Sequence, residues 1–265
     1  MASIQLPPST DVNDFLTEQE PSYNWLIPGI MERGDRLILT GGEGKGKSTL
    51  LRQIAVQCSM GLHPFTGEDM PALRVAYIDL ENPRAHLRRE IAKLKRNLPI
   101  DPYFLSISAW PGGLDLSNLD FRISLTGRLT ELKPDLLTVG PMYKMMPHLD
   151  TEDASSSLAS YLDQLRAGLD LSLILESHQP HQVITSQLKY RPERPFGSSL
   201  WMRWPEFGIG LRRPDPNSDD HDTYQLEHWR GPRDFRVWPS HLLKGGTWPW
   251  TPKMPTGTFN NQGKP

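Results

Sequence analysis

Residues 41 to 49 read Gly41-Gly42-Glu43-Gly44-Lys45-Gly46-Lys47-Ser48-Thr49. Gly41 and Gly46 bracket four residues, and Lys47 and Ser48 follow, which is the spacing G-x-x-x-x-G-K-[ST] of a phosphate loop. Each residue type has a task in it. The glycines let the backbone curl until several N–H groups face one anion, and the helix that follows adds its positive end. A lysine at position 47 reaches the β- and γ-phosphates of a nucleoside triphosphate, and a hydroxyl at position 48 ligates Mg²⁺. The residues therefore predict a site for ATP with Mg²⁺; the competing reading is a Gly-rich hinge.

Three further groups of residues carry chemistry. Tyr77-Ile78-Asp79-Leu80-Glu81-Asn82-Pro83 places a carboxylate just past a strand, at the sheet edge where ligands of parallel sheets collect. Glu81 there suits a base that holds and deprotonates an attacking water; the alternative is a solvated acid favoured by a helix N-terminus. His178 and His181 lie near Glu176, but their spacing matches no zinc pattern. His178 or Gln179 fits better as a hydrogen-bond donor that senses phosphate, against an ordinary loop histidine. Lys189, Tyr190, Arg191, Arg194 and Phe196 mix cations with rings, which suits single-stranded nucleic acid because phosphates need charge and bases need a stacking surface. An ordinary solvated basic loop is the other reading. The tryptophans Trp201, Trp204, Trp229 and Trp238 read as core or subunit interface before base platform.

The pattern of apolar residues supplies the elements that must hold these groups. Arg36–Thr40 is an unalternating apolar run, as a strand buried on both faces shows, and Leu50–Met60 follows with helical spacing. Further strands are expected at Arg74–Leu80, Tyr103–Ile107, Asp135–Gly140 and Leu171–Glu176. Helices are expected at Pro83–Asn97, at Leu116–Leu132 with Ser117 as its cap, and at Asp153–Gly168. Phe207–Leu211, Thr223–His228 and Phe235–Trp238 alternate and predict antiparallel strands. The fold class is thus α/β: a mostly parallel central sheet flanked by helices, with antiparallel strands at its C-terminal edge. The expected divisions are a flexible arm over 1–22, one domain over 23–240 and a disordered tail over 241–265. No internal repeat is present.

Composition narrows the class. The chain has 265 residues, 37% hydrophobic and 23% charged, enough for a substantial core. A net charge of −2 leaves nucleic-acid contact to local patches, since a global basic field is excluded. One cysteine, Cys58, excludes an internal disulfide and fits a reducing compartment. No apolar run is long enough to span a membrane, and the acidic start is unlike a signal peptide. A cytoplasmic protein without membrane contact is the expectation.

Taken in order, these segments resemble the RecA-like ATPases, especially the ring helicase branch with its DnaB-type and plasmid RepA-type helicases, over about residues 23 to 240. Thr40–Thr49 is similar to their Walker A loop, Glu81 to their catalytic glutamate, and Lys133–Lys144 to the Walker B strand and the loop after it. Leu173–Gln179 is similar to the strand carrying the γ-phosphate sensor, and Gly197–Trp204 to the RepA-type region that follows it. His228-Trp229-Arg230-Gly231-Pro232 resembles the segment that sends an arginine into the neighbouring subunit's site; Arg203 is the second choice. The resemblance implies a RecA-like fold, ATP hydrolysis with Mg²⁺, a homo-oligomeric hexameric ring, and single-stranded DNA in a central channel lined by Lys144 and the basic loop. It implies a replicative-type DNA helicase or single-stranded DNA translocase. One position departs. Gly140 stands where relatives end the Walker B strand in an aspartate that orients Mg²⁺, leaving Glu176, Asp79, or Ser48 with waters, to serve. That departure keeps open a non-motor ATP-dependent DNA-binding or regulatory ATPase with weak hydrolysis. A small-molecule kinase also uses a phosphate loop, but the basic loop and the Trp-Arg-Gly-Pro segment fit it poorly.

Overall fold

A computed structural model describes residues 9–17, 23–95, 104–180, 183–184, 189–190, 194–213, 220–231 and 236–253. The elements in chain order are α1 (Val12–Thr17), β1 (Trp25–Ile27), β2 (Met31–Glu32), β3 (Arg36–Gly41), α2 (Lys47–Ser59), β4 (Val75–Asp79), α3 (Arg84–Lys95) and β5 (Leu105–Ala109). They continue with α4 (Leu119–Leu132), β6 (Leu136–Gly140), a 3₁₀ turn (Met142–Lys144), α5 (Glu152–Leu169), β7 (Ser172–His178), β8 (Val183–Ile184) and β9 (Lys189–Tyr190). The last are α6 (Leu200–Arg203), β10 (Phe207–Arg212), β11 (Thr223–Arg230), β12 (His241–Lys244) and β13 (Trp250–Pro252).

Nine strands form the main sheet in the order β13-β12-β11-β10-β3-β7-β6-β4-β5. From β10 to β5 all neighbours are parallel. Side chains alternate across the sheet, so successive residues of one strand enter different cores. Leu37 and Leu39 of β3 pack with Leu50, Leu51 and Ile54 of α2 on one face. Ile38 between them packs on the other face with Leu158, Leu162 and Leu165 of α5. Helices on both faces bury the central strands twice over, which is why β4, β6 and most of β3 carry unbroken apolar or small residues. The carboxyl ends of β3, β4, β6 and β7 therefore meet at one edge.

Several boundaries differ from expectation. The cap of α4 is Asn118, whose side chain accepts from Asp120 N, one residue beyond Ser117. β10 was expected to be antiparallel; it lies parallel to β3 and antiparallel only to β11. Phe235–Trp238 is no strand over its described part, 236–238; Trp238 instead buries its ring against Phe65 and Phe207 and donates Nε1 to the Ile30 carbonyl. The expected disordered tail fails in its first half. His241–Lys244 and Trp250–Pro252 pair as strands beyond β11, and residues 254–265 lie outside the described residues. Of the expected arm, 1–8 and 18–22 also lie outside them, while Val12–Thr17 is a helix with no buried residue.

Candidate nucleotide site

The loop between β3 and α2 has the form a polyanion needs. Gly46 sits at φ +92°, and a Cβ there would lie 2.6 Å from Cζ2 of Trp250, so no other residue fits without displacement. Its left-handed conformation turns the chain into α2, whose first turn has no side-chain cap. Those N–H groups are left facing the loop, as phosphate binding requires. Within the loop Lys45 N donates to the Gly42 carbonyl at 3.4 Å. Lys47 is only 4% exposed; its Nζ donates to the same Gly42 carbonyl at 3.1 Å. Glu43 and Gly44 are exposed at the tip, and Thr49 accepts from Arg52 Nη2 on the first turn of α2.

Beneath Lys47 lies an acid. Glu176, near the end of β7, accepts from the Ser48 hydroxyl at 2.9 Å and stands 3.8 Å from Lys47 Nζ. Burial pushes its carboxyl up, Lys47 and the Ser48 hydrogen bond pull it down, and Asp79 and Glu81 add to the rise. Asp79, at the end of β4, is committed differently. Its Oδ1 accepts from the backbone of Glu81 at 3.0 Å and of Asn82 at 2.8 Å, and the Asn82 amide reaches both oxygens. Arg52 Nη1 lies 3.5 Å from Oδ2, both groups being buried. Asp79 thus pins the turn that leaves Glu81 exposed past the strand. Among the described residues no cluster of three or more His, Cys, Asp or Glu could hold a metal unaided. The donor set fits Mg²⁺ of the kind that shares phosphate oxygens and keeps several waters: one hydroxyl, and one acid beside it.

Glu43, Tyr143, His178, Gln179 and Phe196 line a cleft of about 190 Å³ beside the loop. His178 pairs in register with Gly41, which brings the end of β7 against the start of the loop. Burial first, and then the carboxylates of Glu81, Glu43 and Glu176, hold the Tyr143 hydroxyl above its ordinary range. Lys144, in the neighbouring turn, donates Nζ to the Pro111 carbonyl at 2.9 Å. The structure therefore gathers the loop, Glu81, His178, Gln179 and Lys144 at one edge. Lys189 and Tyr190 form β9, which pairs with β8 directly after β7, and Arg194 is exposed. Arg191 lies outside the described residues. Arg203 and Arg230 are elsewhere but together: Arg230 Nη1 donates to the carbonyl of Met202, the residue before exposed Arg203.

Reading the residues missed Trp250, which lies about 200 positions from the loop it supports. Gln53 of α2 accepts from Trp250 N at 2.9 Å and donates to its carbonyl at 2.8 Å, so β13 is clamped to the loop's helix. No local signal announces this, since the surrounding Trp-Pro-Trp and glycines read as irregular chain. Trp250→Ala is expected to cost about 3–5 kcal/mol, as for a buried aromatic, and to weaken nucleotide binding by loosening Gly46. Denaturant unfolding of both forms, with and without ATP, measures each effect.

The fold and the loop define a P-loop ATPase domain of RecA-like architecture. The sequence matches the AAA domain family over residues 2–182, more than half the chain, and the protein belongs to that family. Its structure is similar to the KaiC-like protein PH0186 of the hyperthermophilic archaeon Pyrococcus horikoshii OT3, with a TM-score of 0.57 and 15% identity over 87% of this chain and 99% of that one. At that identity the likeness is one of fold. No curated protein matches the sequence.

Proposed function

We propose that this chain is an ATP-hydrolysing motor on single-stranded DNA, working as a homo-oligomeric ring of the replicative helicase type. The observation that carries this reading is one continuous path. β7 lies beside β3 with His178 against Gly41, and the next element is the β8–β9 hairpin that begins the basic loop. On this reading a change in bound phosphate at the end of β7 would bear on the segment that follows it in the chain, where the sequence carries Lys189, Tyr190, Arg191 and Arg194. Exposed Ile107 and Trp110 on the outer strand side, with exposed Leu119 and Ile123 on α4, supply apolar surface of the kind that marks an assembly face.

The division of labour follows from the geometry. Lys47 and the loop's N–H groups bind the β- and γ-phosphates, and Ser48 would hold Mg²⁺. When bound, Mg²⁺ supplies neutralising charge between those phosphates. Glu81 orients water and takes its proton, while His178 or Gln179 hydrogen-bonds the terminal phosphate. An arginine from the next subunit stabilises the charge that develops on transfer.

Phosphate release measured with and without single-stranded DNA, on a sample sized by light scattering, tests the motor. Stimulation by DNA in an assembled sample is expected. Turnover indifferent to DNA would replace this reading with the regulatory, non-motor ATPase. A triple Lys189→Ala, Arg191→Ala, Arg194→Ala variant is expected to keep basal ATP binding and lose DNA affinity. Each lost phosphate contact should flatten the slope of log affinity against log salt by about 0.7. An unchanged affinity and slope would show the loop to be plain solvated surface.

A further inference from the structure

We propose that Glu176 is the carboxylate that positions Mg²⁺ in this chain, so that the acid usually carried by the Walker B strand has moved one strand over, from β6 to β7. The inference rests on the ATP-site reading above and adds the residue which holds the metal.

Gly140 and Glu176 face one another. β6 and β7 are parallel neighbours paired at Val139 and Leu175, so the next residue of each is Gly140 and Glu176. A Cβ on Gly140 would fall 2.4 Å from the Cβ of Glu176 and 3.1 Å from its Oε2. The volume that an aspartate on β6 would fill is therefore already occupied by the glutamate of β7. One acid excludes the other, and Gly140 is the space left for Glu176. The displaced carboxylate points to the right place, because its Oε1 accepts from Ser48 Oγ, the hydroxyl expected to ligate the ion. Asp79, the other nearby acid, is held by the Glu81–Asn82 turn and by Arg52.

Glu176 pairs with Leu39, two residues before Gly41, and stands level with Gly140 in the neighbouring strand. From that root its carboxylate reaches the Ser48 hydroxyl at 2.9 Å. Glu176 is consequently a positioning residue for the ion. Ordered water between carboxylate and metal is compatible with this role, as Mg²⁺ keeps much of its hydration shell.

The test compares binding of a fluorescent ATP analogue across a Mg²⁺ titration and in EDTA. Glu176→Gln preserves shape and the Ser48 contact. It is expected to raise the Mg²⁺ concentration needed for tight binding by about 10–100-fold, the usual cost of losing an outer-shell partner, and to leave binding in EDTA at least as strong. A merely structural role would weaken both. Glu176→Asp, which keeps the acid but shortens it, is expected to lose the Mg²⁺ effect too. Gly140→Asp with Glu176→Ala returns the acid to β6 and vacates its space; part of the Mg²⁺ dependence should come back. A Glu176→Gln protein, or a Glu176→Asp protein if that one fails to fold, with the wild-type Mg²⁺ titration overturns the inference and leaves the ATP site standing. A wild-type protein that binds no nucleotide with or without Mg²⁺ overturns both.

Discussion

Glu81→Gln is expected to bind ATP within a few-fold of wild type and to turn it over about 10²–10⁴ times more slowly, the usual contribution of a positioned base. The substitution is mild for the fold because the turn carrying it is held by others. Asp79 takes the backbone N–H groups of both Glu81 and Asn82, and the side chain at 81 is exposed. Only the basic oxygen is lost. Lys47→Ala should instead lose tight ATP binding, and turnover with it. That ammonium is buried in the loop and bonded to the Gly42 carbonyl, so it must exchange this partner for phosphate when ATP arrives. A hydrogen bond to a charged group contributes about 1.5–3 kcal/mol. Its loss therefore weakens binding about 10- to 150-fold for each bond removed. Equilibrium titration with a labelled ATP analogue, run beside phosphate release, separates the two residues. A Glu81→Gln protein that hydrolyses at the wild-type rate ends the assignment of Glu81.

What the residues announced was whatever depends on short spacing or on continuous burial. The phosphate loop is local in the chain, and so is the Asp79–Glu81 turn, whose geometry requires only residues 79 to 82. The central strands were legible because parallel, doubly covered strands leave unbroken apolar runs. What was illegible depended on distant partners. β10 alternates apolar residues with glycines at 208 and 210, which suggests a strand, but nothing in Phe207–Arg212 says that its neighbour is β3, some 170 residues earlier. β13 is three residues long, below any length at which a period can show, and Trp250 is fixed by Gln53 rather than by its own neighbours. Gly140 is the instructive case. Alone it reads as a missing acid, and only the register of β6 against β7 turns it into room for Glu176.

Arg230→Ala is expected to lower turnover about 10³–10⁵-fold, the effect of an arginine supplied in trans, and to do so without touching its own subunit's nucleotide. The sheet holds Arg230 away from its own subunit's loop. β11 starts level with the loop edge and runs away from it, ending at Arg230 opposite Gly208, which is itself paired with Ile38. Gly41 is three residues further along β3 and two strands across, about 10 Å in each direction. Arg230 Nη1 is meanwhile bonded to the Met202 carbonyl at 3.1 Å, so the guanidinium faces α6 instead of the loop. β11 was expected at the sheet's edge, but β12 and β13 lie beyond it. The open approach is thus past α6, where Arg203 stands exposed one residue from that carbonyl. The two arginines singled out from the sequence share one corner, so both are candidates for the proposed trans role. Mixing decides between them. Inactive Arg230→Ala subunits combined with inactive Lys47→Ala subunits form some interfaces that join an intact loop to an intact arginine, and part of the activity should return. Arg203→Ala in the same mixture identifies which side chain is required. No recovery despite demonstrated co-assembly, for either arginine, would remove the trans role from this corner, and a monomer at working concentration would end the ring reading altogether.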